Sequence, residues 1–581
     1  MRRRLQIADH SPAGMGLKAF KESSKTLLTV PLTVFRIAAL PKARVPKRIP
    51  SGKANYVKDI MNNKQENKHP LKRAHITAIC FFIIFAMLLS SGCGRIKKPS
   101  AGEDASYINA VNYNNDGKSI KLAYTDKSSL VFPVIPGCTF DGLYDSEACD
   151  KRIAADDIRS GETVYFKWKE NNEYHPLSET FRIDDYIDSL IKATPAYIPA
   201  WNQERVIDQW NYIDGVFLKS MIEIYKITND ESYMDFVRSY VNYYLDENGN
   251  FLRPSTGEMI DLADELDSIC ASLNLFDLAE IYGDRDKRYE YAIEKSYDKL
   301  RSFNICTNGI NYEHKAIYPS QIWLDGMYMY GPFLARYANY EGEPSLLKEL
   351  RKQYEFIYDN MRNEDGLYIH AMDTSKKVFW ADPDTGLSEN VWLRSTGWLI
   401  VSLTDVIEYY EEGEDKEFLK NMLSEALTSV STCLDKRTMM YYQLPALGPS
   451  VHYVPASYLK GLNNIAYQTD GTYKDHYIAN YLEASGSSML AYSMMKGARL
   501  GYIDKSFADI GLNTFEGVIE NSFDISSDSL SDICITAGLG PETNTVRDST
   551  AAYYLAEPVG SNDAKGIGPF IMAYLEYEKV R

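Results

Sequence analysis

Cysteine and histidine are both scarce here, eight of each in 581 residues. No Cys-x-x-Cys pair and no Cys/His spacing of the zinc type occurs, so no metal site is expected and no cofactor is called for. Six cysteines follow Cys93: Cys138, Cys149, Cys270, Cys306, Cys433 and Cys534. Cys138 and Cys149 are close enough in sequence to bridge in an exported protein, and the others read as small buried hydrophobes. Positive charge is short beyond the leader. The chain has a net charge of −17; residues 1–92 hold seventeen Lys and Arg against four Asp and Glu, a net +13, which leaves −30 on the rest. Such a surface argues against nucleic acid as partner. It also repels anionic ligands at long range, so any site for an anion has to be a local cluster of cations. One apolar run stands out, Ile76 to Leu89 (ITAICFFIIFAMLL), and it is too short for a comfortable membrane span.

That run, preceded by Lys64, Lys68, Lys72 and Arg73, fits the apolar region of a signal peptide. Ser90-Ser91-Gly92-Cys93 follows and looks like a bacterial lipobox, with Leu89 one place upstream of the usual position. The likeness implies cleavage before Cys93, lipidation of its thiol, and a protein anchored to the bacterial cell envelope on the periplasmic or cell-surface side. Residues 1–60 are basic and unpatterned, whereas Met61 opens a well-proportioned signal peptide. Translation is therefore read as starting at Met61, with 1–60 a mis-called extension, 61–92 the signal peptide and 93–106 a polar tether.

Over 107–178 the pattern is one of short alternating runs (SIKLAYT, SLVFPVI, TVYFKWK) separated by Asp-Gly and other Gly-containing turns, a small β-rich segment read as a spacer. From 180 to 581 the period is helical. An acidic turn followed by an aromatic or apolar anchor recurs at 227–237, 282–292, 340–350, 411–421 and 501–511. Each follows a strongly apolar helix and precedes an amphipathic one, which predicts an inner and an outer ring. The expected fold is all-α, an (α/α)6 barrel of six hairpins, with an open helical-repeat solenoid as the alternative. A closed barrel takes its ligand at one mouth, among the loops that lead from outer helices to inner ones.

The stretch His314 to Tyr337 (HKAIYPSQIWLDGMYMYGPFLARY) sets one carboxylate, Asp325, among Trp323, Met327, Tyr328, Met329 and Tyr330. Apolar surroundings disfavour the charged form of an acid, which suits a proton donor near neutral pH. The plainer reading is a core helix with Asp325 as a cap or first-turn residue, where the dipole opposes protonation by roughly 1 kcal/mol. Pro332 leaves open where that helix begins.

YPSQIWLDGMYMYGPFLARYA closely resembles the signature YPxQMWLDGLYM of the unsaturated rhamnogalacturonyl hydrolases, glycoside hydrolase family 105 of the 88/105 superfamily. The resemblance covers about residues 180–581. It continues in order through LDSICASLNLFDLAEIYGD, LYIHAMDTSKKVFWADPDTGLSENVWLRSTGW, LEASGSSMLAYSMMKGARLGY, TAGLGPETNTVRDSTAAYYLAEP and NDAKGIGPFIMAYLE. It implies the same barrel, Asp325 as general acid/base and Asp267 as a second acid in the pocket. His314, Lys315, His370, Trp392, Arg394, Trp398 and Lys565 are implied as substrate contacts, and Tyr212 completes the expected set. Two departures stand against the pattern: Cys270-Ala271-Ser272 replaces Asn-Pro-Gly, and Ser320 replaces a histidine.

Ordinary glycosidases need two carboxylates flanking the bond. The implied substrate is a lyase-generated rhamnogalacturonan oligosaccharide whose 4,5-unsaturated galacturonyl end is a vinyl ether. Protonation at C4 and addition of water at C5 give a hemiketal that opens and releases the neighbouring sugar, so one acid suffices. Asp267 is expected to keep Asp325 protonated by like-charge repulsion. Arg394, beside an indole, is expected to pair with the uronate carboxylate. The alternatives are a hydrolase of unsaturated glucuronyl glycans and a non-catalytic, lipid-anchored glycan-binding protein, the latter supported by the two departures.

Overall fold

The computed structural model describes residues 106–112, 119–124, 138–154, 157–170, 186, 187, 190, 201, 202, 204, 206, 208–283 and 285–581. The expected signal peptide and the expected tether up to residue 105, Cys93 included, lie outside the described residues, and Ser106 opens the first strand.

Two kinds of helix alternate along the chain. Helices α1 (Tyr212–Thr228), α3 (Leu273–Tyr282), α5 (Leu324–Glu341), α7 (Leu393–Val406), α9 (Ala484–Leu500) and α11 (Ala564–Val580) are buried on most sides, and every residue of α7 is buried. Helices α2 (Glu231–Tyr244), α4 (Arg288–Arg301), α6 (Pro344–Asn360), α8 (Glu414–Ser431) and α10 (Ser506–Ser522) bury one stripe and expose the rest. In α4 that stripe is Tyr289, Ala292, Ile293, Ser296 and Leu300, the spacing of a single helical face. Each fully buried Leu, Ile or Val contributes roughly 1.5–3 kcal/mol, so the apolar inner helices hold the molecule together. They pack in sequence, α1 on α3, α3 on α5, α5 on α7, α7 on α9, α9 on α11, and α11 back on α1. The ring closes, which decides for the (α/α)6 barrel and against an open solenoid.

The acidic turns of the sequence lie where an inner helix passes to an outer one. There Asn229, Gly342 and Gly501 end α1, α5 and α9 with φ of 54°, 70° and 73°. Glycine and asparagine take this left-handed conformation at low cost, so the chain reverses at once. The outer-to-inner connections are long, 302–323, 361–392, 432–483 and 523–563 among them, and all gather at the opposite mouth.

Backbone hydrogen bonds tie that mouth together. The N–H groups of Leu266, Leu324, Leu393, Ala484 and Ala564 donate to the carbonyls of His314, His370, Gln443, Asp532 and Trp201, in that order, at 3.0, 3.1, 3.0, 3.0 and 2.7 Å. Each bond links the start of one inner element to the loop in front of the next. Left unpaired in the interior, each donor would cost about 1–3 kcal/mol. The residues that follow these donors are Asp267, Asp325, Arg394, Ser485 and Lys565, so the same bonds fix the side chains at the mouth. Helix α5 begins at Leu324, and Pro332 lies inside it. The Ser402 hydroxyl donates to the Met327 carbonyl at 2.6 Å, supporting the backbone next to the break the proline makes.

Ahead of the barrel, β1 (Ser106–Val111), β2 (Ser119–Tyr124), β3 (Cys138–Tyr144), β4 (Arg152–Ile153) and β5 (Thr163–Glu170) form one sheet in the order β2-β1-β5-β3-β4. β1 and β5 are parallel and the other pairs antiparallel. Ile108, Ala110, Leu143, Ile158, Val164 and Phe166 make its core, and Val451 from the loop between α8 and α9 packs against it. The Cys138–Cys149 bridge that the sequence leaves open is not made: Cys149 is a free thiol. Cys138 opens β3 and Cys149 lies in the turn beyond its far end. Six strand steps of about 3.3 Å set their backbones far outside disulfide reach.

Candidate active site

A cavity of about 270 Å³ opens at the mouth where the inner helices begin. Tyr212, Asp267, His314, Lys315, Asp325, Trp392 and Arg394, all expected at the site, line it. Asp325 sits in the first turn of α5 and is 9% exposed. Its Oδ2 lies 3.4 Å from His370 Nε2, and neither atom has a hydrogen-bond partner. His370 is fully buried behind Asp325, and its Nδ1 is 2.7 Å from the Tyr554 hydroxyl. The result is a row of three groups, Tyr554, His370 and Asp325, with the acid at the cavity end.

Asp267 stands differently from what repulsion between two acids requires. Lys315 Nζ is 2.6 Å from its Oδ2 and 3.0 Å from Glu265 Oε2, and His314 Nε2 is 3.6 Å from its Oδ1. Burial pushes the Asp267 carboxyl up, but Lys315 above all, then His314 and Lys565, hold it below its usual range. Its charge is therefore balanced locally by a cation. Burial is also the main reason that His314 is lowered to about 4, so this ring is neutral near pH 7. Its ring stacks on Trp323 at 4.4 Å, and Trp323 stacks on Tyr318 at 4.8 Å. Gly326 makes room: a Cβ there would lie 3.3 Å from His314 Nδ1 and 3.0 Å from Leu266.

Arg394, in the first turn of α7, donates to the carbonyls of Cys534 and Ile535 and lies 4.7 Å over the Trp392 ring. It thus holds the segment that brings Thr536, Ala537 and Gly538 to the cavity wall. Glu483, the N-cap of α9, accepts from the Cys534 N–H at 3.1 Å and secures the same segment. Trp392 Nε1 donates to Gln443 Oε1 at 3.1 Å, which fixes the indole plane.

Three expected contacts do not line the cavity: His370, placed behind Asp325, and Trp398 and Lys565, which lie elsewhere. Trp398 is 1% exposed and stacks on Tyr328 at 4.6 Å, one turn deeper in α7 than Arg394, so it belongs to the barrel core. Lys565 is fully buried, 3.0 Å from Asp563 and 3.4 Å from Glu204, and reaches the cavity only through Glu204, which lines it. Glu204, Glu265, Tyr318 and Arg547 line the cavity and were not singled out as contacts. Tyr318 stands in the central motif itself, and Arg547 in the C-terminal segment TAGLGPETNTVRDSTAAYYLAEP. A basic residue directly ahead of an apolar helix was the available signal.

Neither departure from the family pattern touches the cavity. Ser320 takes a left-handed φ of 62°, and its N–H donates to Glu313 at 2.7 Å. Ser272 accepts from Trp210 Nε1 at 3.0 Å, and Ala271 packs where a Cβ on Gly215 would lie 2.8 Å from its own Cβ.

A closed double ring of helices with acids and an arginine at the starts of the inner ones places the chain among the six-hairpin glycosidases. More particularly, residues 183–457 and 448–581 match the model of Glycosyl Hydrolase Family 88, and the chain belongs to that family. It is similar to a glycoside hydrolase of family 105 from C. acetobutylicum ATCC 824, with 30% identity and a TM-score of 0.57 over 68% of this chain and 98% of that one. A possible family 105 member from Salmonella enterica shares the fold at 18% identity and a TM-score of 0.51, over 69% and 96%. Protein Atu3128 of Agrobacterium fabrum is 29% identical over 252 residues, 42% of this chain and 96% of that protein. The protein is a glycoside hydrolase of the 88/105 superfamily.

Proposed function

We propose that the enzyme removes the 4,5-unsaturated galacturonyl residue from rhamnogalacturonan oligosaccharides produced by a lyase. The observation that carries this reading is the unpartnered Asp325–His370 pair at the cavity wall. In the tautomer that carries its proton on Nδ1 and donates it to Tyr554, His370 turns a lone pair at Nε2 toward Asp325, ready to accept from a carboxyl proton there. Asp325 gives that proton to C4 of the substrate, and positive charge develops at C5 and the ring oxygen. The carboxylate left behind takes a proton from the water that adds at C5. The hemiketal then opens and the neighbouring sugar leaves, with no glycosyl-enzyme formed. General acid–base catalysis of this kind contributes about 10²–10⁴-fold, and orientation of the ring within the cavity supplies part of the remainder.

The likeness to a family 105 enzyme at 30% identity supports the rhamnogalacturonyl substrate. The match to the family 88 model supports a second reading, an unsaturated glucuronyl substrate turned over by the same chemistry. The non-catalytic reading loses its support, because both departures lie off the cavity while Asp325 and His370 face each other. A panel of unsaturated disaccharides tests the proposal: loss of the double bond's ultraviolet absorbance with the galacturonyl-rhamnose substrate is expected. Turnover confined to unsaturated glucuronyl substrates would move the assignment to the second reading, and no turnover on any of them would end it.

A further inference from the structure

A uronate needs a cation, and the cations at this mouth are unequally engaged. Lys315 lies between two carboxylates, Asp267 at 2.6 Å and Glu265 at 3.0 Å. Arg394 donates to two carbonyls and covers Trp392. Lys565 is buried against Asp563 and Glu204 and does not line the cavity. Arg547 does line it. Its Nε is buried without a hydrogen-bond partner, and its nearest acid, Glu557 Oε1, is 3.5 Å from Nη2.

The surroundings of Arg547 also suit a sugar ring. Gly538 lies between the guanidinium and the Trp323 indole: a Cβ at Gly538 would be 3.2 Å from the indole ring and 3.4 Å from Arg547 Nη1. The edge of the indole, whose faces carry His314 and Tyr318, and a planar cation thus meet across one residue without a side chain. Trp323 belongs to the segment that carries Asp325, so a ring held there stands next to the acid. Burial, only partly offset by Arg547 and by the Tyr553 hydroxyl, pushes Glu557 up to about 7. At neutral pH it is a partial counter-charge, and Arg547 keeps a net attraction for an anion.

We infer that Arg547 is the residue that selects a free carboxylate on the terminal sugar, with Gly538 leaving the guanidinium accessible beside the Trp323 edge. This rests on the uronyl reading above and adds to it the specificity-determining cation. A bidentate guanidinium–carboxylate contact discriminates strongly against the neutral methyl ester, which offers weaker acceptors.

The test compares the unsaturated galacturonyl disaccharide with its methyl ester in the full chain and in Arg547→Ala and Arg547→Lys. Wild type is expected to favour the free acid by at least tenfold in kcat/KM. Arg547→Ala should raise KM for the acid about tenfold or more, leave kcat within about threefold, and abolish the preference over the ester; Arg547→Lys should restore it only partly. If alanine unfolds the protein, Arg547→Lys decides, since it keeps the charge and loses the fork. A wild-type preference for the acid in the variants that fold overturns the inference. Should wild type turn over none of the disaccharides, binding of free galacturonate by calorimetry replaces kinetics. Loss of that binding in the variant supports Arg547, and equal or absent binding in wild type and variant overturns it. Failure of the parent reading shows as absent turnover, and failure of this one as unchanged discrimination.

Discussion

His370 Nε2 lies 3.4 Å from Asp325 Oδ2, while its Nδ1 meets the Tyr554 hydroxyl at 2.7 Å. The buried imidazole therefore separates the candidate acid from a group that sets its tautomer. Asp325→Asn keeps the shape and removes the proton that C4 requires. A fall in kcat of at least about 10²-fold is expected, with substrate still bound and the fold intact. Tyr554→Phe takes away one hydrogen bond to the imidazole and should lower kcat about tenfold with little change in KM. Near-normal turnover in Asp325→Asn would remove it from the mechanism.

Asp267 gives the second prediction. A carboxyl held below its unfolded pKa stabilises the fold at pH values above that pKa, and the contribution is lost as pH falls through the folded value. Lys315 is the main stabilising cause, set against burial. Asp267→Asn should thus melt lower than wild type at pH 7, and the gap should close in acid. The loss should stay under the roughly 3–5 kcal/mol of a buried ion stripped of its partner, because Glu265 remains 3.0 Å from Lys315. The alkaline limb of the pH–rate profile should stay in place. A limb that moves toward acid would restore the role of Asp267 as a repelling neighbour of Asp325.

The barrel was legible because its inner helices are apolar all round and its outer ones striped, a contrast that a local pattern carries. Asp325 was legible because its motif is long and continuous. The state of Asp267 was not, since the Lys315 contact is made by a loop that bridges back through Glu265 and Lys315. Trp398 was misplaced for a helical reason: four residues past Arg394 it shares a face but lies one turn deeper, on Tyr328. Arg547 reaches the cavity from more than 200 residues beyond Asp325, a distance no local period spans.

The leader supplies a third prediction. The apolar run ending at Ser90-Ser91-Gly92-Cys93 is read as a lipoprotein signal. Cys93→Ala should release the protein from the membrane fraction or leave it unprocessed. Unchanged detergent-dependent fractionation of that variant would remove the lipid anchor from the account.

Glu557 titrates in the range where the enzyme works. It is 2% exposed, and burial, against the opposing pull of Arg547 and the Tyr553 hydroxyl 2.9 Å away, pushes it up to about 7. For an acid raised in the folded state the sign is the reverse of that for Asp267. The stabilising contribution is complete below the unfolded value near 4.5 and is lost as pH rises through about 7. At about 1.36 kcal/mol per unit, the loss amounts to roughly 3 kcal/mol at most by pH 8. Glu557→Gln keeps an acceptor for Tyr553 and cannot ionise. Relative to wild type, its melting temperature should rise from pH 5 and level off above about pH 7. A constant difference across that range would show that Glu557 carries the same charge throughout, and with it the partial counter-charge beside Arg547 would be lost from the argument.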